Sequence, residues 1–316
     1  MITKNIQLAA DKLKDGEIIA IPTETVYGLA ANAYSEDAVK KIFDLKNRPH
    51  NNPLIVHIKS YDFLQNVALD IPDAAIKLAQ EFWPGPLTLV LKKQAHIPDL
   101  VTAAKETVAV RMPNHPMSIA LLEKLDFPIA APSANPFGSI SPTSAEHVYH
   151  YFKDNLDLIL DGGNCEKGIE STIIGFQNNE AILYRYGSIS VEEIERVIGK
   201  IKIFTKNDTT PDAPGMLSKH YAPSTKIFLT DNIHELIKKQ SGKKIGLLLF
   251  DKQIVGVGIS HQEILSSTSS LEQAAYNLYS ALHRLDSYNL EVILAERLPN
   301  VGLGKTINDR LERATK

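Results

Sequence analysis

The sequence predicts two α/β units in tandem: an α+β unit over residues 1–200 and a smaller unit with a parallel sheet over 225–316, joined by a connector at 201–224. Three observations carry this. A chain of 316 residues is long for one core, since domains usually run to roughly 100–200 residues. Strand-like and helix-like segments mix without strict alternation before Lys200 and alternate after it. Between the two regions, Asn207-Asp208-Thr209-Thr210-Pro211-Asp212 and Ala213-Pro214-Gly215 have the composition of a linker.

Each element has a local reason. Ile6 to Leu13 places apolar residues at helical spacing and stops at Asp15-Gly16. Glu17 to Ile21 is short, apolar and β-branched, so it reads as a buried strand ended by Pro22. Ser35 caps a helix to Lys46, with Ala38, Ile42 and Leu45 on one face. Leu54 to Ile58 is a strand and Ile71 to Phe82 a helix. Leu87 to Leu91 and Val108 to Arg111 read as strands, Pro116 to Leu125 as a helix, and Ile129 to Ala131 as a buried strand running into Pro132-Ser133. Leu156 to Leu160 and Ser171 to Gly175 are strands among turns. After the connector come a strand (226–229), a helix (233–239), a strand (245–250), a long helix (271–285) and a strand (292–295), an order that favours parallel strands with crossover helices.

Composition excludes several classes. With 44% hydrophobic and 22% charged residues the chain is of the ordinary globular type. A net charge of −3 argues against a broad nucleic-acid surface but says nothing about a local basic cleft. The single Cys165 excludes an intramolecular disulfide and a cysteine-based zinc site. The first residues lack the apolar stretch of a secretory signal, and no apolar run nears the roughly 20 residues that span a bilayer. The expectation is a cytoplasmic protein with no membrane association.

Four clusters carry chemistry. Pro22-Thr23-Glu24-Thr25-Val26-Tyr27-Gly28-Leu29 follows a buried strand and gathers hydroxyls, a carboxylate and a phenol in a turn; helix capping by a threonine is the plainer reading. Residues 46–57 place Lys46, Arg48, His50, His57 and three asparagines between a helix end and a strand. They suit either a dipole-compensating helix terminus or a rigid polyphosphate cradle. Thr107 to Pro113 and Ala130-Ala131-Pro132-Ser133-Ala134-Asn135, with Ser139 and Ser141, are strands ending in polar turns, which turn chemistry alone would explain. Asp161 to Ile173 sets three glycines beside Ser171-Thr172, where backbone N–H groups can approach an anion, and Arg185 stands at a further strand end. No base can be assigned to Cys165, which reads as a spectator thiol.

Other motifs fail on spacing. Gly302-Leu303-Gly304-Lys305-Thr306 lacks the opening glycine of a phosphate-binding loop, whose place Pro299 occupies. Val255-Gly256-Val257-Gly258 lacks the third glycine of a dinucleotide fingerprint. His147 and His150 read as exposed positions of a solvated helix, and the ten histidines show no zinc spacing, so no protein-held metal is expected.

The ordered set PTETVYGL, KNRPHNNPLIVHI, WPGPLTLVL, VAVRMP, APSAN and GIESTI resembles the YrdC-like family of threonylcarbamoyl-AMP synthases over about residues 6–200. Residues 213–223 (APGMLSKHYAP) resemble the connector of its long, two-domain members, and the Gly302–Leu311 region resembles their Rossmann-like C-terminal domain. The resemblance implies a twisted mixed α/β sheet around a cationic cavity. It implies formation of threonylcarbamoyl-AMP and pyrophosphate from L-threonine, bicarbonate or CO2, and ATP, with Mg²⁺ arriving on the triphosphate. Separate tRNA threonylcarbamoyl-transfer proteins would consume the product. By motif position, Thr25, His57, Arg111, Ala131 and Ser171 would surround L-threonine. Arg48, Asn52, Thr107, Ser133, Ser141 and Arg185 would surround ATP, with His220 and Tyr221 folding over the nucleotide. Lys46 and Arg48 would be the catalytic cations on the phosphates. Asn47 stands where many members carry a small residue such as glycine, which leaves the backbone path of that loop open.

Adenylate formation of this kind depends on positioning and charge stabilisation, which suits a site rich in Arg, Lys, Ser, Thr and Asn and poor in paired carboxylates. Two alternatives stand beside it. An RNA-binding role is disfavoured by the acidic balance and the absence of an aromatic stacking motif, although direct tRNA contact stays open. Carbamoyl-adenylate formation from carbamoyl phosphate, as in related hydrogenase-maturation proteins, is disfavoured because their zinc-finger and acylphosphatase-like segments have no counterpart in this sequence.

Overall fold

A computed structural model describes residues 1–178, 180–204, 220–256 and 258–316. The linker-type stretch from Asn207 to Lys219, with Ala213-Pro214-Gly215, lies outside the described residues, as does Val257.

The first unit is built on a twelve-stranded mixed sheet. Its middle runs in space through Ile19–Ile21, Gly28–Asn32, Ile129–Ala130, Ile55–His57, Thr107–Arg111, Leu87–Lys93, Thr172–Gln177 and Glu180–Arg185. Antiparallel pairs alternate irregularly with parallel ones, so this is the mixed sheet expected, without a doubly wound order. Helices Glu36–Lys46, Asp73–Phe82 and Val191–Ile198 bury their apolar stripes in one large core with Leu29, Val56, Leu89 and Val110. On the opposite face a small apolar set, Ile55, Val90, Ala109 and Ile173, forms a floor. Alternation along a strand puts side chains two apart on one face, so Arg111 stands beside Ala109 and His57 beside Ile55 above this floor.

The second unit is a four-stranded, all-parallel sheet in the order Ile227–Thr230, Val292–Glu296, Ile245–Leu249, Ile259–Ile264. Helices Leu271–Asp286 and Leu303–Ala314 lie between it and the first unit, and their apolar residues share one core with Val26, Ile140 and Ile169 of the first unit. Residues 220–222 are pinned to both: the His220 N–H donates to the Arg313 carbonyl (3.4 Å), and the Ala222 N–H donates to the Gly138 carbonyl (2.9 Å). No helix among the described residues is long and apolar enough to cross a membrane.

One expectation is corrected here. His147 does lie on a helix, Ala145–Phe152, but it is half-buried instead of exposed: its ring stacks on His283 of the second unit at 3.9 Å between centroids. His150 is exposed as expected.

Candidate active site

A cavity with about 550 Å³ of atom-free space, open mouth included, lies over the apolar floor. Thr23, Thr25, Arg48, His57, Arg111, Ala131, Ser133, Glu170, Ser171, Arg185, His220 and Tyr221 are among its lining residues. Several chain segments converge there over one face of the sheet: the strands ending before Thr23 and Ala131 run antiparallel to those ending at His57 and Arg111, so the lining residues meet from both strand directions. His57 pairs in register with Arg111, and Arg185 with Ile173 next to Ser171. Gly187 permits the approach of the chain after Arg185, since a Cβ there would stand 2.2 Å from the Thr172 nitrogen.

At one end, Arg111 is held from three sides. It donates to Thr25 Oγ1 (2.8 Å) and to the Gly85 carbonyl (3.3 Å), and it pairs with the buried Glu24 carboxylate at 2.6 Å. Thr23 bonds Thr25 (2.8 Å) and the Val26 carbonyl, fixing the turn that presents both hydroxyls. A guanidinium has five N–H groups, so Arg111 keeps capacity for a further acceptor. Burial, reinforced by Arg111, pushes the His57 imidazole down to about 3, and its Nδ1 has no hydrogen-bond partner among the described residues.

The other end is different. Arg48 bonds the carbonyls of Asn52 (3.2 Å) and Pro53 (2.8 Å), and Arg185 donates to both oxygens of Ser171. Burial, with repulsion from Arg185, lowers the Arg48 guanidinium to about 9. Both side-chain amide atoms of Asn52, Nδ1 of His220 and the Tyr221 hydroxyl lack hydrogen-bond partners among the described residues, although all three side chains are buried. Buried polar groups are nearly always paired, so such a group facing a cavity marks a place for ligand atoms. Burial would push the Glu170 carboxyl up. Arg310 and Arg185, with a hydrogen bond from Ser141, outweigh it and hold the group at about 2.

Not every residue expected at the site lines the cavity. Lys46 donates to the backbone carbonyls of Ser133 and Asn135, which anchors the Ser133 turn instead of extending a free ammonium into the cavity. Its pKa falls well below the usual lysine value through burial and the neighbouring Arg48. Ser141 sits one bond behind the wall, donating to Glu170 at 2.6 Å. Asn52 stands beside Arg48, outside the lining proper. Thr107 is half-buried at the far end of the Arg111 strand, about 13 Å away at the strand rise of roughly 3.3 Å per residue. Asn47 caps its helix in the left-handed conformation (φ 50°, ψ 44°), which explains why a glycine suits that position and fixes the loop's path. Glu170 and Glu24 have roles that residue type and spacing did not reveal.

Among the described residues no group of three or more His, Cys, Asp or Glu could hold a metal. The buried Cys165 has its thiol pushed up by burial, which suits a spectator.

Residues 11–187 match the Sua5/YciO/YrdC family, described as Telomere recombination, and residues 189–315 match the family described as Threonylcarbamoyl-AMP synthase, C-terminal domain. A threonylcarbamoyl-AMP synthase from Pyrococcus abyssi is 43% identical, the alignment covering 98% of this chain and 94% of that one. One from Bacillus subtilis is 40% identical over 98% and 92%. A crystal structure of P. abyssi Sua5 complexed with L-threonine superposes with a TM-score of 0.92 at 43% identity, covering 98% of this chain and 94% of that chain.

Proposed function

The chain belongs to the Sua5/YciO/YrdC family in its two-domain form, and from that premise we propose that it is a threonylcarbamoyl-AMP synthase. The observation that carries this is the electrical division of one cavity. One end holds a guanidinium already paired with a carboxylate, and the other holds Arg48, bonded to neutral carbonyls and lowered by burial and by nearby Arg185, which suits a polyanion. A neutral amino acid fits the first and a triphosphate the second.

At the first end Arg111 receives the threonine carboxylate, with Thr25, His57, Ala131 and Ser171 around the rest of the molecule. The amine adds to CO2, forming an N–C bond and releasing a proton, and one oxygen of the resulting carbamate attacks the α-phosphorus of ATP. The bond from that phosphorus to the bridging oxygen breaks, and pyrophosphate leaves. Arg48 and Arg185 stabilise charge on the phosphates, Ser133 with Asn52 beside Arg48 holds the nucleotide, Ser141 acts from behind the wall through Glu170, and Thr107 stands too far off to take part. Lys46 contributes by fixing the Ser133 turn, and His220 and Tyr221 cover the cavity and keep water from the carbamate. Mg²⁺ supplies charge neutralisation on the triphosphate. The donors present fit an ion that arrives on its phosphates with water, because Glu170, the one lining carboxylate among the described residues, already accepts three side-chain donors.

The test is pyrophosphate release from ATP with L-threonine and bicarbonate added singly and together. Release should require both. ATP turnover indifferent to threonine sinks the reading.

A further inference from the structure

Glu170 joins three side chains from distant parts of the chain. Its Oε1 accepts from Ser141 (2.6 Å) of the first unit, and its carboxylate accepts from the Tyr279 hydroxyl (2.8 Å to Oε2) and from Arg310 Nε (2.9 Å) of the second. Arg310 is only 1% exposed and does more than balance this charge. It donates to the Tyr186 carbonyl, one residue past Arg185, and its guanidinium stacks 4.8 Å from the centroid of the Tyr221 ring. Tyr279 stacks on the same Tyr221 ring from its own helix, at 5.8 Å. Two helices of the second unit thus converge on a carboxylate and a phenol that both line the cavity. Asp309 in turn accepts from Arg310 (2.7 Å) and Arg313, which fixes the direction of the guanidinium.

We propose that Arg310 and Tyr279 of the second unit are positioning residues for the nucleotide end of the cavity, acting through Glu170 on Ser141 and through the Tyr221 ring on the cover. Neither residue lines the cavity itself. Without the Arg310 fork, Glu170 loses its strongest counter-charge, turns toward Arg185 and competes with phosphate for it. Tyr221 loses the plane against which it rests. The second unit is therefore part of the nucleotide site, and the effect on the amino-acid end, whose contacts run through Glu24, Thr25 and Gly85, is small.

This inference rests on the nucleotide reading of that end, and binding measurements separate the two. Calorimetry with α,β-methylene-ATP, which cannot release pyrophosphate, is compared with L-threonine titration for the full chain and for Arg310→Met, Arg310→Lys, Tyr279→Phe and Glu170→Gln/Arg310→Met. Arg310→Met should weaken the nucleotide analogue at least ten-fold while threonine affinity stays within two-fold, and Tyr279→Phe should weaken the analogue about three-fold. Arg310→Lys keeps charge without the fork and should recover only part of the loss. The double variant removes both buried charges and the competition for Arg185, so its melting temperature should return toward the parent's while the analogue regains only part of its affinity, the Tyr221 plane being still lost; a merely structural pair would regain both in full. Parental analogue affinity in a folded Arg310 variant or the double variant overturns the proposal. If the Arg310 variants fail to fold, unchanged analogue affinity in Tyr279→Phe overturns it alone. A parent chain that binds no analogue overturns the nucleotide reading itself.

Discussion

The two ends of the cavity use the same residue type, a buried arginine, under opposite electrical conditions. Arg111 sits against the Glu24 carboxylate at 2.6 Å and is braced by Thr25 and a backbone carbonyl. Arg48 bonds two carbonyls and faces another guanidinium, Arg185, whose repulsion helps lower its pKa to about 9. A paired cation costs less to bury than an unpaired one and can still orient a ligand's carboxylate with its remaining N–H groups. A cation held only by neutral dipoles raises the energy of the empty protein, and that energy is recovered when an anion arrives. Stability and affinity should therefore move together at one end and in opposition at the other.

The largest effect expected tests the paired end. Arg111→Ala strands the Glu24 charge in the interior, a loss of about 3–5 kcal/mol for breaking a buried pair, and it also abolishes measurable L-threonine binding. Adding Glu24→Gln to that variant should restore much of the melting temperature but none of the threonine affinity. Equal melting temperatures for the single and double variants would break the comparison.

Next comes Arg48→Ala. Loss of a charge-assisted contact to phosphate should weaken α,β-methylene-ATP about 100-fold, equivalent to about 2.7 kcal/mol. The melting temperature of the free protein should hold or rise, because an unbalanced buried charge has gone. A drop in stability as large as that of Arg111→Ala would show that the two ends are alike. Asn52→Leu sharpens the same point with a smaller effect. Its amide has no partner among the described residues, so the variant should gain stability and bind the analogue about ten-fold more weakly, or about 1.4 kcal/mol.

The difference between the units also explains what the sequence makes legible. The strands that end at the cavity are short apolar runs followed by polar turns, and period and punctuation find them: Ile55–His57 and Thr107–Arg111 emerge within a residue or so of expectation. Gly28–Asn32 escapes because Gly-Leu-Ala-Ala-Asn has little strand preference of its own, and pairing with strands on both sides supplies it. Helix Leu303–Ala314 escapes for the opposite reason. Its buried face includes Thr306, Asn308, Asp309, Arg310 and Arg313, so a search for apolar periodicity passes over it. Glu170 has the same difficulty, since its Tyr279 and Arg310 partners lie 109 and 140 residues away in sequence. The motifs reveal the wall that touches substrate, whereas the groups that hold that wall become visible only once the chain is folded.

The smallest effect concerns the two imidazoles of the cavity, one at each end, both depressed by burial. His57 and His220 are both held down to about 3, first by burial, with Arg111 adding to it at His57 and with Arg48 and Lys46 adding at His220. A base whose folded pKa lies below its unfolded value of 6.5 takes up protons on unfolding. Its contribution is therefore intact above pH 6.5, declines as pH falls, and is spent near pH 3. Between pH 7 and pH 6 each imidazole should cost about 0.7 kcal/mol by that linkage. His57→Gln and His220→Gln should each remove that share from the pH dependence of a denaturant midpoint. The ends separate once ligand is added. A triphosphate beside His220 favours its imidazolium and flattens the slope in the parent but not in His220→Gln, whereas neutral L-threonine should leave the slope nearly unchanged. Equal flattening by both ligands would mean that the charge imbalance extends across the whole cavity.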